Sequence, residues 1–205
     1  MQRSHMRIVN NALSVVIFVL AVYILFAPFL PEITSTIARA TDETGGYKYK
    51  SRLANADARR KNIAVKSLKP IPKENTLVVP GIEVDGRIWE GTSVDLLNKG
   101  IWHRPKSSTP DKGGNTVLVA HRFLYTSGPN TFYHLPKMKV GDKFFLFWEG
   151  KEYDYEVYEV KIVPPTAVEI EDNTQESIVT LYTCTPLWTA ENRLVVRGKL
   201  IPADE

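Results

Sequence analysis

Two alternating runs around one turn dipeptide restrict the fold of this chain most. Lys143 to Trp148 (KFFLFW) and Lys151 to Val163 (KEYDYEVYEVKIV) flank Glu149-Gly150. Tyr153, Tyr155 and Val157 alternate with Asp154 and Glu156, the period of a strand with one buried face. Together the two runs predict a hairpin. The same reading extends over the region from Glu74 to Glu205. Thr76 to Val79 is a short apolar strand, followed by Ile82, Val84 and a turn pair, Asp85-Gly86. Thr116 to Ala120 (TVLVA) is a buried-type strand after the turn Gly113-Gly114-Asn115, and Ile178 to Thr183 and Arg193 to Ile201 are the last two. Helix is scarce, with one or two turns expected over Val94 to Lys99. Short strands separated by turn signals predict an all-β domain with short helices, either a closed barrel or a sandwich.

The N-terminal third differs. Asn11 to Leu30 (NALSVVIFVLAVYILFAPFL) carries no charge, and as a helix it would span about 30 Å, the thickness of a hydrocarbon core. It has almost no polar face, unlike a buried core helix. Arg3 and Arg7 precede it with no acid among them, which orients residues 1–10 to the cytoplasm and the remainder outside. A cleaved signal peptide is the rival. The triplet Ala38-Arg39-Ala40 fits its cleavage pattern but lies about ten residues past a run that is long for such a segment. Residues 31–73 read as a basic extracellular tether. From Arg39 to Lys73 there are ten Lys and Arg against three Asp and Glu. Ser51 to Leu68 is weakly helical in pattern and ends before Pro70 and Pro72. Such a tether suits a solvated linker beside anionic lipid or wall polymers. Residues 74–205 form one domain of ordinary size. Up to Lys73 the formal charge is +8, and from Glu74 onward it is −5. No basic patch with interleaved aromatics marks the folded part for nucleic acid.

Cys184 is the only cysteine, which excludes an internal disulfide and a thiolate metal cluster. Most single cysteines are small buried hydrophobes. An exported chain, however, exposes a lone thiol to oxidation and mispairing, so its retention points to use. In TLYTCTP (Thr180 to Pro186) an apolar strand delivers it to a turn. A cysteine nucleophile needs a proton carrier and a stabiliser for the developing oxyanion. Histidine suits the first task and arginine the second. His121 follows TVLVA and so tops a strand as Cys184 does. His103, in IWHRP, reads as a loop residue and ranks second, while His134 sits among turn residues. Arg193 opens the strand after the cysteine turn. Arg197 shares its face four positions on and reads more readily as a salt-bridge partner.

On these residues the chain resembles the sortases. Thr180-Leu181-Tyr182-Thr183-Cys184 matches their TLxTC signature. NTVLVAHRF (Asn115 to Phe123) is similar to the segment carrying the family's histidine, with Ala120 where glycine is common. TFYHLPKMKVGDKF (Thr131 to Phe144) resembles the stretch that follows, and ENRLVVRGKL (Glu191 to Leu200) resembles the arginine strand. The resemblance implies an eight-stranded β-barrel preceded by one transmembrane helix. It implies a single-pass membrane transpeptidase whose catalytic domain lies outside the cell in a Gram-positive-type envelope. Cys184 is then the nucleophile, His121 the general acid/base and Arg193 the clamp on substrate and oxyanion, with Thr183 and Thr180 at the substrate groove. The enzyme would cut an LPxTG-like sorting signal after its threonine and pass the acyl group to an amine of a peptidoglycan precursor. This chemistry needs no metal or organic cofactor.

The resemblance also bears on the subclass. Pilus-building sortases often carry a lid with an Asp-Pro-aromatic motif and a second C-terminal helix. Neither pattern occurs here, which favours wall attachment over pilin polymerisation. Residues 51–68 are a candidate cover for the site. The family's loop before the cysteine strand helps read the signal. Here it holds Glu169, Glu171, Asp172 and Glu176, which suits a basic residue near the motif. Two other classes remain: a non-catalytic β-barrel that binds wall components, and an L,D-transpeptidase, whose histidine-glycine-cysteine signature is missing.

Overall fold

The computed structural model describes residues 2–26, 70–123 and 130–202. The chain divides into two units, Met1–Thr41 and Asp42–Glu205. The first contains α1 (Gln2–Phe26), with residues 11–25 exposed. The expected membrane segment, 11–30, is helical as far as Phe26, and residues 27–30 lie outside the described residues. Among the described residues no helix is long and apolar enough to cross a membrane. The expected weak helix at 51–68 and most of the tether also fall outside the described residues.

The second unit has eight strands: β1 (Thr76–Val79), β2 (Val84–Trp89), β3 (Ile101–His103), β4 (Asn115–Val119), β5 (Lys143–Trp148), β6 (Lys151–Val163), β7 (Ile178–Thr185) and β8 (Asn192–Leu200). They close into a barrel in the order β1-β2-β3-β4-β7-β8-β6-β5. The pairs β2–β3 and β4–β7 are parallel and the rest antiparallel. Closure leaves no free sheet edge for another chain to pair with. This settles barrel against sandwich.

The predicted hairpin forms with Trp148 opposite Lys151. Glu149 and Gly150 take φ of 49° and 74°, the left-handed values that a two-residue turn requires between strands of natural twist. Asp85-Gly86 is not a turn: both residues lie inside β2, paired with Val78 and Leu77. The reversal between β1 and β2 occurs instead at Pro80–Ile82, a short 3₁₀ turn ending at left-handed Glu83. His103 is also not in a loop. Ile101–His103 forms β3, fastened to Leu118 and Val119 on one side and to Ile88 and Trp89 on the other. Three residues are too few to show an alternation.

Alternation decides which side chains enter the barrel. Leu118 and Ala120 from the β4 segment, Val179 and Leu181 from β7, and Leu194 and Val196 from β8 join one buried cluster with Leu77, Phe144, Leu146 and Tyr155. Phe144 and Tyr155 stack with ring centroids 5.5 Å apart. Gly198 gives them space, since a Cβ there would lie 2.6 Å from the Phe144 ring. Inward side chains at one parity leave the other parity on the outer face. Val119, Tyr182, Cys184, Arg193 and Val195 belong to that face.

Candidate active site

Cys184 on β7 stands directly opposite Arg193 on β8. Opposed residues of an antiparallel pair carry their side chains on one face with Cβ atoms about 4.5–5.5 Å apart. The other neighbour of β7 is β4, in parallel register, with Val119 beside Tyr182 as the last pair. Thr183 Oγ1 then donates to the Ala120 carbonyl at 2.9 Å, holding the strands together one step further. Two residues beyond the Val119–Tyr182 pair lie His121 and Cys184. Cys184 and Arg193 therefore stand on β7 and β8, and His121 follows the end of the adjacent β4, at the same end of the sheet. Cys184 and Arg193 occupy its outer face, whereas the sequence pointed only to the barrel rim. Each is half-buried, so each has protein support and an open side. Arg193 Nη1 donates to the Ala190 and Asn192 carbonyls, both at 3.0 Å. Those two bonds leave the donors of Nε and Nη2 for another partner.

The alternatives are placed differently. His103 is buried at 8% exposure and lies opposite Leu118, on the inner face. Its Nε2–H donates to the Ser108 carbonyl at 2.9 Å, and Nδ1 lies 3.5 Å from Glu90 Oε1. Ser107 Oγ is 3.0 Å from the same Nε2, which gives a Ser-His-Glu outline. That nitrogen is committed as a donor to a carbonyl and cannot also take the serine's proton. His134 is buried against Tyr133, with centroids 4.9 Å apart. Arg197 lies opposite Thr180, with Nη1 3.5 Å from Glu159 and Nη2 donating to the Ile170 carbonyl at 3.3 Å. It is the structural ion pair expected of it.

Thr180 and Thr183 need correction as substrate contacts. They are 0% and 1% exposed. Thr180 Oγ1 donates to Asn115 Oδ1 at 2.8 Å, and Thr183 is spent on Ala120. Their hydroxyls build the wall behind the site and do not reach a ligand.

Sequence reasoning treated Asn115 as a turn residue, but it is the hub of this wall. Besides accepting from Thr180, its Nδ2 donates to the Ile170 and Asp172 carbonyls at 3.1 and 2.9 Å, and its backbone N–H donates to Asn173 Oδ1 at 3.0 Å. The connection between β6 and β7 is thereby fastened to the outer face. A second fastening is Arg104. Its Nε donates to both Glu171 oxygens at 2.9 and 3.1 Å, and Tyr182 donates its phenol to Glu171 Oε1 at 2.6 Å. Burial works against the Arg104 charge, but the hydrogen bond to Glu171 and the charges of Tyr182 and Glu171 together outweigh it and raise the guanidinium pKa above its ordinary value. Burial, with help from the Glu171 contact, drives the Tyr182 phenol well above its usual range. The acids of this connection are thus not all open to a basic substrate residue: Glu171 is held by Arg104, and Glu176 pairs with Lys199 at 3.0 Å. Beside them lies a cleft of about 370 Å³ lined by Trp102, Arg104, Ser107 and Glu171 among others. Among the described residues no cluster of His, Cys, Asp and Glu is arranged for a metal.

Asn115→Ala would remove the acceptor of the buried Thr180 hydroxyl, take the side-chain donor from the Asp172 carbonyl and leave the Ile170 carbonyl with Arg197 alone. Unfolding in urea is expected to show a loss of about 2–4 kcal/mol, with a smaller loss if the connection rearranges onto water.

Comparison with known proteins agrees with this arrangement. The sortase domain model matches residues 77–201. Sortase D of Bacillus subtilis is 30% identical over 131 residues, covering 61% of this chain and 62% of that protein. The chain thus spans under two thirds of that relative's length. The crystal structure of Streptococcus agalactiae sortase C1 with MTSET superposes with a TM-score of 0.57 at 36% identity, covering 64% of this chain and 68% of that one. The pilus-related sortase C of Group B Streptococcus gives 0.58 at 30% identity, covering 70% and 71%. A barrel closed in this order, a cysteine facing an arginine across β7 and β8, a histidine at the end of β4 and a family match over most of the barrel lead to one conclusion: the chain belongs to the sortase family.

Proposed function

We propose that this protein is a cysteine transpeptidase that cleaves an LPxTG-like sorting signal after its threonine and transfers the acyl group to an amine of a cell-wall precursor. The observation that carries the reading is the opposition of Cys184 and Arg193, with His121 one strand away. Cys184 gives its thiol proton to His121, and Sγ attacks the threonine carbonyl to form a tetrahedral oxyanion, which the Arg193 guanidinium stabilises. His121 gives a proton to the departing glycine amine, leaving a thioester on Cys184. An incoming amine loses its proton to His121 as it displaces the sulfur. Splitting the amide exchange into two acyl transfers lowers each barrel-face step below the uncatalysed exchange.

The protein is read as anchored by residues 11–30 with the barrel outside the cell. The uncharged twenty-residue run and the arginines before it support this. A second reading, linkage of pilin subunits through a lysine amine, draws on the likeness to a pilus-related sortase C. The test uses the full-length chain in detergent with an LPxTG peptide and a panel of amines. A product joining the peptide's threonine to the amine is expected by mass spectrometry. Release of the free acid alone, at every amine concentration, would reject transfer.

A further inference from the structure

One cation beside the site has no role in the chemistry above. Arg122 follows His121, and its Nη1 donates to Thr185 Oγ1 at 2.9 Å. Thr185 follows Cys184, and one peptide unit, about 3.8 Å, separates their Cα atoms. Strand alternation turns Thr185 to the opposite side of β7 from the thiol. The guanidinium therefore sits across the end of β7 from Cys184, tied by sequence to the histidine and by a hydrogen bond to the residue after the cysteine.

That bond compensates only part of the guanidinium's desolvation. Nε is buried and has no hydrogen-bond partner. Among the described residues no carboxylate pairs with Arg122. Burial lowers its pKa from the ordinary value, with the Tyr133 phenol acting the other way. The surroundings are aromatic and open. Phe123 meets Trp188 at 5.6 Å and Tyr133 at 6.2 Å between centroids, and Trp188 is 79% exposed. An apolar rim lowers the local dielectric and strengthens attraction for an arriving anion. A half-buried guanidinium left unpaired carries a desolvation cost that an anion would offset. A planar fork matches a carboxylate in particular.

We propose that Arg122 forms a carboxylate-binding subsite at the end of β7, beside the reaction centre, favouring a reactant that carries a carboxylate near the bond being made or broken. This rests on the transpeptidase reading. Two reactants have the required chemistry: an acceptor with a carboxylate beside its amine, or a donor peptide with an acidic side chain next to the scissile threonine.

The experiment has one arm for each, in the full-length chain in detergent. Transfer is compared between glycine and glycinamide as acceptors. Cleavage is compared between Leu-Pro-Glu-Thr-Gly and Leu-Pro-Gln-Thr-Gly peptides as donors. Each charged-to-neutral ratio of kcat/KM is measured in the wild type and in Arg122→Gln, so that intrinsic reactivity cancels. In one arm the ratio is expected to fall about tenfold in Arg122→Gln, the scale of a charge-assisted hydrogen bond, and that arm identifies the reactant. Arg122→Lys, which keeps the charge but not the fork, is expected to lose about two- to fivefold of the same ratio. Ratios unchanged within twofold in both arms would overturn the subsite. If Arg122→Gln fails to fold, unchanged ratios in Arg122→Lys overturn it equally. A wild type that cleaves neither peptide would instead remove the transpeptidase reading.

Discussion

Cys184→Ala is expected to lower cleavage of an LPxTG peptide by about 10⁴-fold or more, the scale on which removal of a nucleophile acts in enzymes using covalent intermediates. The substitution removes one sulfur from a half-buried position on the outer face, where no core packing depends on it. The melting temperature is therefore expected to stay within a few degrees of wild type. A fall in activity with no fall in stability separates a chemical role from a structural one. A buried-hydrophobe cysteine would give the opposite pattern, with stability lost and cleavage kept. Cleavage surviving at wild-type rate would leave the non-catalytic binding barrel as the better reading.

His121→Asn is expected to reduce the same activity by about 10²–10⁴-fold, the range supplied by a positioned acid and base. The control lies within the molecule. His103→Gln is expected to change cleavage by no more than a few-fold but to destabilise the barrel. It disturbs a buried ring that donates to the Ser108 carbonyl and lies edge-on to Trp148 at 5.2 Å. Matched kinetics and urea unfolding for both variants decide the assignment. If His103→Gln removed activity while His121→Asn kept it, the base would be the wrong histidine.

Some of this molecule could be read before any coordinates. The β5–β6 hairpin was legible because a two-residue turn joins runs long enough to display alternation. Cys184 was expected at a turn after a strand ending at Thr183; β7 instead runs through it to Thr185, and its opposition to Arg193 comes from the register of β7 and β8. Other parts depend on contacts distant in sequence. Asp85-Gly86 has the composition of a turn, yet its backbone is paired to β1, and tertiary pairing overrides local preference. β3 is too short to have a period. Asn115 looked like the end of a glycine turn because its partners, Ile170, Asp172, Asn173 and Thr180, lie 55 to 65 residues away. Thr180 and Thr183 are part of the motif that points to the family, but burial gives them a supporting position and takes them out of ligand reach. A sequence motif does not distinguish residues that touch a substrate from those that hold such residues in place.

The claim on which the mechanism rests is an acyl group carried by the Cys184 sulfur. Its most direct test is the intact mass of the full-length chain, quenched in acid soon after mixing with an LPxTG peptide. The account predicts a shift equal to the peptide up to and including its threonine, mapped to Cys184, absent in Cys184→Ala and discharged when an amine is added. Turnover of the peptide with no such adduct in the wild type, under conditions where an amine speeds product formation, would contradict it.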